Sequence, residues 1–248
     1  MVTDPGLQVH TTRYGEHESQ FVQTWRPREL RKPGAVALIH GGWWRERFTL
    51  ELMNDLARDL ASRGHLVWNL EFRRIDAPAA DGGWPSSLGD VVRSIGRMAQ
   101  LDGVSAASIV AIGHSAGGHL GLLAARDLGL GGVVALAPIT DLPRCAEAGL
   151  GESATPIFMG GTLADNHARY LDASPLHQVP IGSSQLIVHG TADVRVPVEH
   201  SRTYAERATS AGDRVHLAEV ADGDHMFVLD PAHAYWPPAL AWMQSTVS

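Results

Sequence analysis

Short apolar runs rich in Val and Ile alternate along the chain with longer stretches in which apolar residues recur at helical spacing. Almost wholly apolar runs of five to eight residues are typical of parallel strands that helices cover on both faces. The alternation therefore predicts an α/β protein with a mostly parallel sheet. We count about eight strands: near Val9–Arg13 and Gln20–Arg26, and in the runs AVALIHGG, HLVWNLEF, ASIVAIG, GVVALAP, SQLIVHG and DRVHLAEV.

Segments with helical periodicity lie between these runs and near the carboxyl end of the chain. Helices are predicted over Leu50–Arg63, Ser87–Leu101, Ala116–Leu128 and Val198–Ala211, with a terminal helix around Trp242. We find neither a linker nor an internal repeat, so residues 1–248 are predicted to form one domain. Residues 141–182 are less regular, because four prolines interrupt short helical pieces. This segment is the candidate for a small cap.

Composition and charge indicate which kinds of partner the protein can bind. The formal net charge is −7 and basic residues do not cluster, which argues against a nucleic-acid or anionic membrane surface. The amino terminus does not read as a signal peptide, and no apolar run approaches the ~18 residues of a membrane span. We expect a cytoplasmic protein that acts on a small molecule. The single cysteine, Cys145, excludes an intrachain disulfide and is predicted to be an ordinary thiol.

One predicted strand runs directly into a helix through Gly113-His114-Ser115-Ala116-Gly117, a G-x-S-x-G pattern. In this context the serine lies on a sharp, strained turn, and the glycines leave room for neighbouring backbone. The amino end of the following helix offers free N–H groups and a positive dipole end to a developing anion. The pattern predicts Ser115 as a nucleophile. An isolated pentapeptide also fits an ordinary glycine-rich turn, so the prediction needs partners elsewhere in the chain.

A serine nucleophile needs a base within hydrogen-bond reach and a third group that orients the base. Asp193 follows the strand SQLIVHG, and His225 follows the strand DRVHLAEV. Both positions lie at the edge of the sheet where ligands bind in open α/β folds, in the chain order Ser, Asp, His. Asp141, just after VVALAPIT, is the alternative acid.

Attack on a carbonyl group also requires donors for the oxyanion that forms. The Ala116 N–H, directly after the nucleophile, is one predicted donor. The third predicted strand ends in His40-Gly41-Gly42-Trp43-Trp44, where two glycines let the backbone turn its amides inward. We assign the remaining donors to the N–H groups of Gly42 and Trp43.

Taken together, HGGWW, GHSAGGHL, HGTADVRVP and GDH give the chain a resemblance to the α/β-hydrolase superfamily over almost its whole length. Within it the chain looks most like compact bacterial esterases of the H-G-G-x-W type, which are similar to kynurenine formamidase. The resemblance implies an α/β-hydrolase fold and hydrolysis through an acyl-serine, with Ser115 as nucleophile, His225 as acid and base, and Asp193 as orienting acid. It implies no cofactor, and the sequence contains neither H-E-x-x-H nor paired cysteines that would indicate a metal.

The predicted substrate pocket is aromatic. Trp43 and Trp44 adjoin the predicted oxyanion donors, Met226 follows His225, and Trp84 and Phe158 lie where they could close over the site. A cap this short favours small carboxylic esters over long lipid chains. The resemblance leaves an N-formyl aryl amide as the alternative substrate. A catalytically silent binding module is a third alternative, and the presence of all three triad residues argues against it.

Overall fold

A computed structural model describes residues 7–77 and 81–246. Eight strands form one sheet: β1 Leu7–Arg13, β2 Phe21–Pro27, β3 Ala35–Ile39, β4 Leu66–Leu70, β5 Ile109–His114, β6 Gly132–Leu136, β7 Ser184–Gly190 and β8 Val215–Val220. Their order is β1-β2-β4-β3-β5-β6-β7-β8. The strands from β3 to β8 are parallel, whereas β2 pairs antiparallel with both of its neighbours. The prediction of an eight-stranded, mostly parallel sheet is confirmed.

Eight α-helices accompany the sheet in the described part of the chain: α1 Asn54–Ser62, α2 Ser86–Asp102, α3 Ala116–Leu128, α4 Leu142–Glu147, α5 Leu150–Met159, α6 Leu163–Ala173, α7 Glu199–Ser210 and α8 Trp236–Thr246. The predicted bounds of α3 are correct. The helix predicted from Leu50 begins with a 3-10 turn, Leu50–Met53, because Thr49 caps the chain there by accepting from the Glu51 N–H. The irregular segment 141–182 folds into α4, α5 and α6.

The central strands are buried on both faces, and alternate residues enter two separate cores. In β3, Ala35, Ala37 and Ile39 face the core that α2 to α7 cover. Val36 and Leu38 face the core that α1 and α8 cover. This period of two follows from the pleat of a strand and explains why these runs are apolar throughout.

Two adjacent parallel strands bring the two main motifs together. In the register of β3 against β5, Ile39 lies opposite Gly113. The segments that follow, which begin at His40 and Ser115, therefore leave the same edge of the sheet side by side. Within residues 7–77 and 81–246 the helices fall short of the length and hydrophobicity that a membrane crossing requires. The single-domain assignment stays a prediction.

Candidate active site

Ser115 lies between β5 and α3 on a strained backbone, with φ 54° and ψ −115°. A non-glycine residue in this region is uncommon and is held there by its surroundings. A Cβ added at Gly113 would lie 2.2 Å from the Gly117 carbonyl oxygen, and one at Gly117 would lie 2.0 Å from the Ile39 carbonyl oxygen. Only glycine fits at both positions. The Ser115 N–H donates to the Leu136 carbonyl at 2.8 Å, which fixes the turn against β6.

Asp193 and His225 form a buried pair on the turns after β7 and β8. His225 Nδ1 lies 2.6 Å from Asp193 Oδ2, and Asp193 Oδ1 accepts from the N–H groups of Arg195 at 2.8 Å and Val196 at 3.0 Å. Burial alone raises the pKa of Asp193, but hydrogen bonds from His189 and His225 outweigh burial and hold that pKa well below its usual range. An ionised Asp193 accepts the Nδ1 proton of His225 and leaves Nε2 free as a base.

The alternative acid, Asp141, has a different structural role. It caps α4, where its carboxylate accepts from the Arg144 N–H at 3.2 Å. Such a bond satisfies one of the backbone donors that a helix leaves open at its amino end. The structure therefore pairs His225 with Asp193.

His114 joins the turn of His225 to the turn of Ser115. Its Nε2 lies 3.1 Å from the His225 carbonyl oxygen, and the two rings lie 4.7 Å apart between centroids. Burial, with a smaller contribution from His225, lowers the pKa of His114 to about 3, so this imidazole is neutral and donates from Nε2. The Ser115 hydroxyl is buried and has no hydrogen-bond partner in the part of the chain that the structure describes. Bonds between nucleophile and base are often long in unliganded enzymes and shorten around the substrate.

The loop after β3 approaches Ser115 through glycine. A Cβ added at Gly41 would lie 2.7 Å from His114 Nδ1 and 3.0 Å from Ser115 Cβ. Gly42, Trp43 and Trp44 then follow with positive φ values of 108°, 54° and 56°. The N–H groups of Gly42, Trp43 and Ala116 donate in none of the backbone hydrogen bonds found among the described residues. Three backbone donors of this region therefore lack a backbone acceptor among the described residues, and their role as oxyanion donors stays a prediction.

Comparison with models of protein families identifies the family of this chain. The model of the prolyl oligopeptidase family, Peptidase_S9, matches residues 86–246, which is more than half of the chain. The chain belongs to the prolyl oligopeptidase family. A second family model, BD-FAE, matches residues 25–132, which include the loop after β3.

Several individual proteins that are similar to this chain are named as esterases. Esterase LipC of Mycobacterium tuberculosis is 26% identical over 256 residues, covering 89% of this chain and 60% of LipC. This chain thus spans less than two thirds of the length of that relative. A truncated carbohydrate esterase from gut microbiota superposes with a TM-score of 0.83 at 18% identity, covering 98% of both chains. Est2 from Thermogutta terrifontis gives 0.74 at 21% identity, covering 97% of this chain and 91% of that chain. These likenesses show the α/β-hydrolase fold; the finer resemblance to kynurenine formamidase stays a prediction.

A buried ionic network supports the loop of this family member, and sequence reasoning missed it. His40 Nε2 lies 2.9 Å from Glu71 Oε1, and Glu71 Oε2 accepts from the Leu50 N–H at 3.0 Å. Glu71 also forms a buried ion pair with Arg74. Burial raises the pKa of Glu71, but His40, Arg74 and the Leu50 N–H together hold it below its usual value. One ionised carboxylate thus anchors the loop at its first residue and again at Leu50. The available signal was a lone acid at the end of the apolar run HLVWNLEF.

The segment 141–182 contacts the same loop. Gly151, Glu152 and Ser153 form a left-handed turn inside α5, and a Cβ on Gly151 would lie 2.1 Å from Trp43 Cδ2. Arg45 donates to the carbonyl of Glu152 at 3.0 Å and pairs with Asp76 at 2.6 Å. The start of α5 therefore packs directly on the Trp43 ring.

The structure corrects part of the predicted pocket. Trp44 and Phe158 are 0% and 1% exposed, and their rings stack with centroids 4.1 Å apart. They belong to the buried core cluster beneath the loop and not to the predicted pocket wall, because each ring is stacked on the other. Trp84 is half-buried and Met226 is 38% exposed, so these two remain candidate pocket walls, whereas Trp43 is only 8% exposed.

Cys145 behaves as predicted for an ordinary thiol. It is fully buried, and burial raises the pKa of the thiol far above neutral pH. Its Sγ lies 3.8 Å from His200 Nε2, but burial lowers the pKa of His200 to about 4, so this neutral imidazole does not supply the positive charge that stabilises a thiolate. Ser115 is therefore the better nucleophile.

Proposed function

We propose that this protein is a serine hydrolase that cleaves small carboxylic esters through an acyl-serine intermediate. The observation that carries the proposal is the 2.6 Å bond between Asp193 and His225, whose carbonyl accepts from His114 directly before the strained turn of Ser115. The esterase names of LipC and of the structural neighbours support an ester as the substrate.

The geometry supports the following steps. Ser115 Oγ attacks the ester carbonyl carbon while His225 Nε2 takes its proton, and Asp193 stabilises the imidazolium through Nδ1. The carbonyl oxygen becomes negative and accepts from the N–H of Ala116 and from those of Gly42 and Trp43. The imidazolium protonates the alkoxide as the ester C–O bond breaks, which leaves an acyl-serine. Water, deprotonated by His225, then attacks the acyl group and releases the acid and free Ser115.

Substrate size tests the proposed ester class. Phe158 and Met159, the large apolar residues at the end of α5, are buried in the core and are not arranged around an acyl chain. We expect kcat/KM for p-nitrophenyl acetate to exceed that for p-nitrophenyl palmitate at least about tenfold, equivalent to ~1.4 kcal/mol of transition-state binding. The butyrate and octanoate esters give the intermediate points. A rate that rises towards palmitate contradicts the size assignment.

Two other substrate classes belong in the same panel. N-formylkynurenine tests the arylformamide alternative, which the aromatic rings of Trp43 and Trp84 favour. A prolyl p-nitroanilide tests peptidase activity, because the family is named for a peptidase. We expect the acetate ester to have the highest kcat/KM of the three, and a higher value for either amide reassigns the substrate class.

The loop after β3 gives a steric prediction. In Gly41→Ala the new Cβ lies 2.7 Å from His114 Nδ1, so the loop must move away from Ser115. We expect kcat to fall about 100-fold, the effect of losing one oxyanion donor, and the free energy of unfolding to fall by about 1–3 kcal/mol.

Gly96→Ala is the matched control, because a Cβ at Gly96 in α2 meets no heavy atom within 4 Å beyond its chain neighbours and the backbone of its own helix in the described structure. This control should leave kcat unchanged and raise stability slightly, since alanine favours a helix. Ester turnover and thermal melts of both variants make the comparison. Equal behaviour of the two variants contradicts the assigned role of the loop.

A further inference from the structure

A second histidine binds the same carboxylate oxygen as His225. His189, at the carboxyl end of β7, is fully buried, and its Nε2 lies 3.1 Å from Asp193 Oδ2 and 2.8 Å from the Val196 carbonyl oxygen. On the other side of the ring, Nδ1 lies 2.7 Å from Ser201 Oγ. Asp193 Oδ2 is therefore shared between two imidazoles, those of His225 and His189.

The hydrogen-bond partners of the His189 ring determine which of its two nitrogens carries the proton. A backbone carbonyl only accepts hydrogen bonds, so the 2.8 Å contact to Val196 requires a proton on Nε2. The same N–H points towards Asp193 Oδ2 as the second branch of a bifurcated bond. The buried Ser201 hydroxyl donates to Nδ1, which completes a neutral imidazole with both nitrogens paired. His189 is thus a fixed donor towards the carboxylate.

The hydrogen bond from His189 affects the strength of Asp193 as a hydrogen-bond acceptor for His225. Asp193 accepts from His225 and His189 on Oδ2, and from Arg195 and Val196 on Oδ1. Each donor stabilises the ionised carboxylate and reduces its pull on any one proton. Other titratable groups nearby are His114 and Asp224 beside His225, and His200 on α7 and Glu219 on β8 beside His189. None of these four hydrogen-bonds to Asp193 in the described structure.

We propose that His189 is a positioning residue that limits the basicity of Asp193 and thereby keeps the His225 imidazole available as the base. The inference rests on the proposed function, in which His225 must be neutral to accept the Ser115 proton. Without the His189 donor, Asp193 holds the His225 proton more tightly. The imidazole then stays charged to higher pH and is less available as a base.

Two amide substitutions distinguish the loss of the hydrogen-bond donor of His189 from a change in its side-chain shape. In His189→Gln the side-chain amide reaches the place of Nε2 and keeps a donor towards Asp193. In His189→Asn the shorter amide lies near the place of Nδ1, where it reaches Ser201 and not Asp193. Both variants are made with Ser115→Ala, and the His225 imidazole is titrated by NMR of histidine-labelled protein. The readout does not depend on turnover, so it stands even where the ester assignment fails.

We expect the pKa of His225 to rise by about one pH unit in His189→Asn and to stay near the parent value in His189→Gln. With Ser115 present, the acid limb of kcat/KM moves to higher pH in His189→Asn alone. A merely structural role predicts the opposite sign, because a displaced Asp193 stops stabilising the imidazolium. An unchanged or lower pKa in His189→Asn overturns the proposal, as does the same shift in both variants. If His189→Asn fails to fold, His189→Leu provides the donor-free protein for the same titration.

Discussion

Ser115→Ala is expected to lower kcat for p-nitrophenyl acetate by about 10⁵–10⁶-fold and to leave the fold intact. The hydroxyl is the only atom in the proposed mechanism that forms a bond to the acyl carbon. Its loss leaves no partner unsatisfied, because Ser115 Oγ has no hydrogen-bond partner among the described residues. The melting temperature should therefore stay within a few degrees of the parent protein.

The same prediction extends to His225. His225→Ala removes the base that takes the Ser115 proton, so we expect a loss of similar size. The double variant should be no slower than either single variant, since the two residues act as one unit. The measurement compares the initial rates of these variants with those of control variants outside the active site, including Ser105→Ala before β5. Multiplicative losses in the double variant contradict a shared step.

Asp193→Asn is expected to cost about 10⁴-fold in kcat, the size of effect that follows when a triad histidine is held in the wrong tautomer. The N–H groups of Arg195 and Val196 require an acceptor at Oδ1, so the new amide nitrogen takes the place of Oδ2. That nitrogen donates towards His225 Nδ1, which must then lose its proton. The proton moves to Nε2, where the ring can no longer accept from Ser115.

Asp141→Asn is the matched control for the acid. Asp141 caps α4, and asparagine is an equally good capping residue, so stability should change by less than about 1 kcal/mol and kcat should stay near the parent value. Steady-state kinetics of both variants on p-nitrophenyl acetate decide between the two acids. Normal turnover in Asp193→Asn with loss of turnover in Asp141→Asn reverses the assignment.

Several parts of this account could be predicted from the sequence because local chemistry determines them. The turn at Ser115 needs small residues on both sides, since a Cβ at Gly113 or Gly117 would meet backbone within 2.2 Å. The central strands could be predicted because burial on both faces requires continuous apolar runs. Asp193 and His225 could be placed because turns at one edge of a parallel sheet converge.

Other parts depend on contacts between distant segments, which the sequence does not display. Trp44 and Phe158 resemble pocket walls in sequence, yet they stack on each other in the core, because α5 packs beneath the loop after β3. Glu71 meets His40 through the pairing of β3 with β4, and its role is visible only once both strands are placed. His189 is a strand residue in sequence, and only the fold of the following turn brings it to Asp193.

The central claim is that Ser115 is the nucleophile, and labelling with diethyl p-nitrophenyl phosphate tests it most directly. The hydroxyl displaces p-nitrophenolate from phosphorus, and the diethylphosphoryl group stays on Oγ. We predict one p-nitrophenolate released per chain, one label located on Ser115 by peptide mass spectrometry, and loss of ester turnover in step with labelling. A label on another residue, or ester turnover that persists with Ser115 fully labelled, would contradict the account.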